Sequence, residues 1–360
     1  MLNRRRAILT SCAALLPWRL YAQPVPLGGA AGFQKLGPGP LWAGVPGNAP
    51  SLDLNLLSAT LDASVTWTRA NANATDGLFT DASGATFNTF AANAPRISVA
   101  KGLLIERNSA NNLLLATVPA TQTTASLGTG QYWVWVNGAG SATPSAGTAT
   151  GSGFAPATNG TPSTFTLTVA GTVIVTVSGA LNRFQLEASI DPTSFISSAA
   201  SVLTRQVDSG TAPTAAWYNA VEGTFIIDFL QPSNNATSVG DLPTLYTDVS
   251  NLMQIRIFGT AVQILAWVAN VNTGSVSPIG AISTGVPQKA AFTYVAATKV
   301  ISGCLNGGPV SFATPSSLAT FNQIKFGATR TGTPNDGFTR RIRYYPRALQ
   351  VPELRAVTSL

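Results

Sequence analysis

From residue 52 onward the chain is a succession of short runs with a period of two or of continuous β-branched and aromatic residues, separated by glycine-rich punctuation. Ser64-Val65-Thr66-Trp67-Thr68, Tyr132–Val136, Phe165–Val169 and Val173–Val177 read as strands on this basis. So do Glu222–Leu230, Met253–Phe258, Ala261–Val268, Ala291–Val295, Lys299–Leu305, Asn322–Ala328 and Phe338–Tyr345. In Ala261–Val268 the pattern puts Val262, Ile264, Ala266 and Val268 on one face and Gln263, Leu265 and Trp267 on the other. Gly259-Thr260 suits a type II′ hairpin turn and Asn306-Gly307 a type I′ turn, because those turns need positive φ where these residues stand. Asp76-Gly77 and Ser83-Gly84 are further turn signals, and Gly138–Thr164 reads as a long loop. Only Val351–Thr358 fits a short helix.

Punctuation and composition divide the chain. Residues 1–22 (MLNRRRAILTSCAALLPWRLYA) join a basic start to an apolar stretch, with a cut after Ala22 conceivable; this is a secretory-leader pattern, and its paired arginines suit twin-arginine export. The alternative is a basic docking arm, which Arg19 favours. Residues 23–50 form a Gly/Pro-rich arm without period, and 51–118 a region of short strands. Residues 119–207 form a β-sandwich module, Asp208–Pro213 a linker, and 214–360 a second sandwich. A chain of 360 residues with 45% hydrophobic content fills two or three cores, while only 10% charged residues leaves solubility to hydroxyls and amides.

Particular elements carry a family likeness. Thr68-Arg69-Ala70, the Asn-Ala-Pro-Arg element Asn93–Arg96 and the Gly-Leu-Leu-Ile-Glu element ending at Glu106 follow one another and run into Asn112-Leu113-Leu114-Leu115. Leu181–Glu187, then Pro192–Ile196 and Thr204-Arg205, look like a closing strand and exit linker. This succession resembles bacteriophage and prophage tail-fibre and head-spike proteins, in which it accompanies a carbohydrate-binding-module-like sandwich. Arg107 departs from the pattern, where a second acidic or small residue is usual, and leaves the ion-pair role of this stretch open. The strand Ala291–Val295 before a Leu-Asn-Gly hairpin, with a closing Tyr-Tyr-Pro-Arg-Ala-Leu, resembles the laminin-G or concanavalin-like lectin fold. The likeness implies an all-β fold of tandem β-sandwiches, carbohydrate-binding-module-like and then a concanavalin-like jelly roll, with an extended N-terminal arm. It implies a non-catalytic virion protein, a homo-oligomer with a trimer favoured, contacting other virion structural proteins and a cell-surface polysaccharide. An exported lectin-like carbohydrate-binding protein is the alternative, so the expected place is the virion surface, or outside the cell if residues 1–22 are cleaved.

Candidate chemistry is sparse. The formal charge of +7 shrinks once residues 1–22 are set aside, since their four arginines take Lys plus Arg from 21 to 17 against 14 acids, a net of +3. No basic stripe for nucleic acid remains, and Arg340, Arg341, Arg343 and Arg347 read as a solvated strand edge. Cys12 and Cys304 make no disulfide framework, and Cys304 reads as a small buried residue. Zero histidines remove the commonest general base and the usual zinc sites. Glu222 and Asp228, six residues apart on one strand, stand roughly 20 Å apart, beyond the reach of a glycosidase pair. No catalytic residue and no cofactor is expected; Asp241, Asp248 and Asp336, in expected loops, offer oxygen ligands to calcium if they are more than ordinary surface acids. For sugar stacking the candidates are Trp133, Trp135, Trp217, Tyr218 and Trp267, each of which has a core role as its alternative.

Overall fold

The computed structural model describes residues 49–69, 76–77, 89–90, 93–106, 110–115, 119–189, 193–196, 198, 201–214, 216–232, 239–327, 329–330 and 336–360. Residues 1–48, Ser83-Gly84 and Arg107 lie outside them, and with them the leader and most of the arm. The described part is all-β apart from the helix Val351–Thr358, and every strand pairing is antiparallel. Strands fall where period and residue type place them: Glu222–Leu230 and Ala261–Val268 match to the residue.

Two large sheets form the main sandwich. The first runs Ser311–Ala313, Val300–Leu305, Pro287–Val295, Glu222–Leu230, Gly337–Tyr345, Gly102–Ile105, Ile97–Ser98, with Leu52–Asn55 also on Gly337–Tyr345. The second runs Thr66–Thr68, Ser209–Pro213, Gln323–Gly327, Thr244–Asp248, Asn251–Phe258, Ala261–Val268, Val271–Ala281, with Val239–Asp241 also on Asn251–Phe258. Phe225, Ile227, Phe229 and Phe292 from the first sheet meet Met253, Ile255, Val262, Ile264 and Phe326 from the second. Burying each such side chain contributes roughly 1.5–3 kcal/mol, so this layer dominates the favourable side of folding. Val262, Ile264 and Ala266 face it as the alternation requires. Asn306 and Gly307 take φ of 51° and 69°, and Gly259 takes 60°, as their turns demand.

The region 51–118 contributes directly to this sandwich: Leu52–Asn55, Thr66–Thr68, Ile97–Ser98 and Gly102–Ile105 are strands of its two sheets. Ser209–Pro213 is likewise a strand, where a linker was expected, and pairs with both Thr66–Thr68 and Gln323–Gly327. The module is thus inserted into the sandwich, and a short local run reads the same whether its hydrogen-bonding partner is near or, as for Leu52–Asn55 and its partners from Tyr344 back to Arg341, at the other end of the chain. Asp76–Gly77, expected as a turn, forms a two-residue ladder with Thr89–Phe90.

The inserted module is built on Gly130–Ala146 and Val173–Glu187, paired from Val173↔Ala146 to Glu187↔Trp133. The expected loop from Gly138 to Thr164 is therefore mostly strand, with Thr150–Ser152 and Ala157–Thr158 also paired. Its glycines stand where backbones approach closely: a Cβ on Gly140 would lie 2.4 Å from the Ser178 carbonyl oxygen. Tyr132, Val134, Val136, Phe165, Val173, Val175, Phe184 and Leu186 form its core.

The first sheet's outer face is closed by the helix, whose Leu354 and Val357 cover Ile226, Ala291 and the buried Cys304. Gln350 and Glu353 make a capping box at its start. The arginines of Gly337–Tyr345 lie on an interior strand and not on an edge: Arg341 pairs with Asp53, Arg343 with Asp228 at 3.4 Å, and Arg340 donates to the Ala100 carbonyl at 2.8 Å. Arg347, beyond that strand, pairs with Glu353 at 2.8 Å.

At one end of the core the Tyr294 and Tyr344 hydroxyls meet at 2.7 Å, and both reach the Asn219 carbonyl. Gly223 makes room for them, since a Cβ there would lie 2.1 Å from the Tyr344 hydroxyl oxygen and 2.8 Å from that of Tyr294. Gly223→Ala is expected to lower stability by about 1–3 kcal/mol through overpacking, seen as a lower urea midpoint at unchanged slope. An unchanged midpoint would show that the tyrosine pair yields without cost.

Candidate functional site

The elements that carry the family likeness converge on one place. Arg96 is fully buried; its Nη1 donates to Ser194 Oγ at 2.6 Å and meets Glu106 Oε2 at 2.5 Å, and its Nη2 pairs with Asp208. Glu106 also accepts from the Ser194 N–H at 2.7 Å and the Ser194 hydroxyl at 2.6 Å, and Arg205 Nε lies 3.5 Å from it. The Glu106 N–H donates to Asp208 at 2.9 Å. Beside them Glu187 accepts from the Thr193 N–H and hydroxyl, both at 2.6 Å, while Gln185 receives the Ile196 N–H at 2.7 Å. Arg69 is fully buried, and its N–H donates to Asn93 at 3.0 Å. Glu106 therefore has ion-pair partners despite the departure at Arg107. The arrangement ties the strand that leaves the sandwich (Gly102–Ile105) to the one that re-enters it (Ser209–Pro213), with Leu203–Arg205 on Ala110–Asn112 as a second clasp. It holds the module to the sandwich.

The five aromatic candidates part company. Trp135 is 2% exposed and packs edge-on against Phe195 at 5.7 Å, so it is core to this junction. Trp133, half-buried, sits opposite Glu187 and Thr164 on the same strand face. Trp217 lies in the main core, edge-on to Tyr344 at 5.0 Å, with its N–H donating to the Pro213 carbonyl at 2.9 Å. Tyr218 packs beside it against Tyr294 and Phe321. Trp135 and Trp217 thus take the core role that stood beside the platform role, because each lies on the strand or turn face that meets another layer. Trp267 is different: it stands half-buried on the outer face of the second sheet.

That outer face can be read strand by strand from the register. Gln323 pairs with Tyr246, Tyr246 with Leu252, Leu252 with Trp267 and Trp267 with Asn272. Four strand spacings make this row about 19 Å long, with two aromatic rings between two terminal amides. On the same face, Lys325 lies beside Gln323 and its Nζ donates to Ser209 at 2.7 Å; farther along, Arg256 Nε donates to Gln263 at 2.9 Å. Burial pulls Lys325 and Arg256 below their ordinary pKa, and nearby Asp241 partly restores Arg256. At the end of the row the Arg330 guanidinium stacks 4.0 Å from the Trp267 ring centroid and donates to the Val249 carbonyl at 3.1 Å and to Asn270. Trp267 was readable as a candidate from its face of the strand; Tyr246 and Gln323 were not, because only tertiary register aligns them with it.

The three acids considered for calcium are apart. Asp241 is 2% exposed at the end of a strand and bonds Gln254 and Thr329, Asp248 accepts from Ser250 and Asn251, and Asp336 immediately precedes the strand Gly337–Tyr345. Among the described residues no group of three or more His, Cys, Asp or Glu is arranged to hold a metal ion.

No protein-family model and no curated protein matches the chain. Solved structures are similar. The CBM40 module of the Ruminococcus gnavus IT-sialidase bound to α2,3-sialyllactose is 18% identical over 39% of this chain and 84% of that one, with a TM-score of 0.33. The NanB sialidase of Streptococcus pneumoniae is 14% identical over 40% of this chain and 26% of that one, at 0.34. A pentraxin of Limulus polyphemus is 10% identical over 39% and 70%, at 0.31.

The buried junction makes stability depend on pH with two opposed limbs. Burial raises Glu187 to about 7, only partly offset by Thr193 and Arg205. Burial also opposes Glu106, but Arg205, Arg96 and Ser194 overcome it and hold that group at about 2. The raised Glu187 contributes stability that is complete below about pH 4.5 and is lost as pH rises through 7; Glu106 contributes stability complete above about pH 4.5 and lost as pH falls through 2. Each limb is on the order of 3 kcal/mol. Urea titrations from pH 3 to 8 should therefore peak near pH 5, and Glu187→Gln should flatten the neutral limb while sparing the acid one. A Glu187→Gln profile parallel to that of the parent chain would show that Glu187 is ionised in the folded state at pH 5.

Proposed function

We propose that the chain is a non-catalytic surface protein of the phage fibre or spike kind, which holds a cell-surface glycan along the outer face of its second sheet. The observation that carries this is the row Gln323–Tyr246–Leu252–Trp267–Asn272, in which two rings with faces for pyranose C–H groups flank the buried Leu252 and the amides at either end offer partners to hydroxyls. The opposite sheet cannot serve in this way where the helix covers it. Support for the fibre placement comes from the likeness elements, which build the junction between sandwich and module. Other virion proteins and further copies of the chain, three in the favoured assembly, are its partners in this reading.

A second reading, an exported lectin-like protein, rests on the leader pattern of residues 1–22. The amino-terminal residue of the natural protein separates the two: a chain starting at Met1 and travelling with virions supports the fibre, and one starting at Gln23 in the exported fraction supports the lectin. For the shared carbohydrate function, the intact chain should be retained by at least one bacterial surface polysaccharide in a panel, without releasing reducing ends. Absence of retention across capsular and O-antigen polysaccharides would sink it, and released reducing ends would make the protein an enzyme.

A further inference from the structure

Among the described residues, two shielded polar groups on the outer face of the second sheet have no hydrogen-bond partner. Gln254 is fully buried; its Nε2 donates to Asp241 Oδ1 at 3.4 Å, and its Oε1 accepts nothing. The bond to Asp241 settles which end of the amide is which, so the idle atom is an acceptor. Trp267 Nε1–H is equally shielded and donates to nothing. Leu252 pairs with Trp267 and Gln254 with Leu265, which makes Gln254 and Trp267 diagonal neighbours on one face, roughly 5–8 Å apart. Two consecutive residues bracket them: Thr329 donates to Asp241, and the Arg330 guanidinium lies over the Trp267 ring. A buried donor and a buried acceptor left idle side by side are unusual, since either alone costs more than a typical hydrogen bond returns.

We infer that this patch beneath Arg330 is a subsite for one neutral pyranose ring of the glycan, a reading that rests on the carbohydrate function proposed above. A sugar hydroxyl both accepts and donates, so one hydroxyl or two adjacent ones satisfy the indole N–H and the Gln254 oxygen together. A carboxylate or sulfate only accepts; it would leave Gln254 idle and bring negative charge toward Asp241. An ammonium group only donates; it would leave the indole idle and face Arg330. In the structure the guanidinium occupies the ring face that the sugar needs. Its hydrogen bonds go to the Val249 carbonyl and the exposed Asn270, for which water substitutes when it swings aside.

The test uses the full chain and four variants in affinity gels containing galactomannan, mixed-linkage glucan or the acidic polygalacturonate. Trp267→Phe keeps a ring and removes the donor; Gln254→Met keeps the shape and removes the acceptor. Each is expected to weaken retention by a neutral polysaccharide on the order of tenfold. Arg330→Ala is expected to retain or tighten it, and Phe312→Leu, on the edge strand of the first sheet, to leave it unchanged, with circular dichroism confirming that all four fold. Retention indifferent to both Trp267→Phe and Gln254→Met, retention by polygalacturonate alone, or loss in Arg330→Ala overturns the subsite while leaving the carbohydrate function standing. Absence of retention on every polysaccharide removes both.

Discussion

The pairing of Arg96 with Glu106 and Asp208 is the constraint on which the architecture turns. Without it the module would hang from the sandwich by two strands that separate after Ile105 and rejoin at Ser209. With it, a single guanidinium touches the outgoing strand's end through Glu106, the returning strand's start through Asp208 and the module's exit segment through Ser194. A planar fork satisfied on three sides admits one geometry, whereas an apolar cluster of the same volume would tolerate several. The net energy of such a buried network against hydrophobic replacements is near zero or unfavourable, but losing one member strands its partners at about 3–5 kcal/mol. Its contribution is thus to define a unique junction more than to deepen the stability of the fold.

This explains which parts of the fold were legible in the sequence. Local alternation identified Ala261–Val268 and its inward face because period and turn chemistry act over a few residues. The same local reading could not tell that Leu52–Asn55 pairs with Tyr344 to Arg341, since nothing in four residues encodes a partner so distant. It also took glycine, serine and threonine between Gly138 and Thr164 for a loop. Glycine is a weak strand former in isolation and masked the threonines of this stretch, yet here the long pairing with Val173–Glu187 outweighs propensity, and the glycines' lack of a side chain is what lets the backbones approach. The fibre-like motifs were visible as spellings; that Arg69, Glu106, Glu187 and Arg205 are all buried at one junction was not, because buried charge is the least expected use of those residues.

The candidate site was legible only in part, for a related reason. Aromatic residues in strands announce themselves, but sequence does not say whether a second layer lies above them. Trp135 and Trp217 have such a layer, and Trp267 has Arg330. The alternation that sent Val262, Ile264 and Ala266 inward also sent Trp267 outward, so the decisive information was present in its phase. What phase cannot supply is the cross-strand row that places Tyr246 and Gln323 in line with it.

The two sheets of the sandwich treat their outer faces in opposite ways, and that asymmetry bears on function. The first sheet buries Ile226, Ala291 and Cys304 beneath the closing helix, at a return of roughly 1.5–3 kcal/mol for each large side chain covered. The second sheet mixes Tyr246, Gln254, Gln263, Lys325 and Trp267 with the buried Leu252 and Leu265 on its outer face, and includes buried groups whose hydrogen bonds are incomplete among the described residues. A fold optimised for stability alone would have placed apolar residues at Gln254 and Trp267, as it does at the neighbouring Leu252 and Leu265. Leaving idle a donor and an acceptor costs about 1–3 kcal/mol apiece, a penalty that the apolar core between the sheets can bear and that a hydroxyl-bearing ligand of the kind proposed would remove.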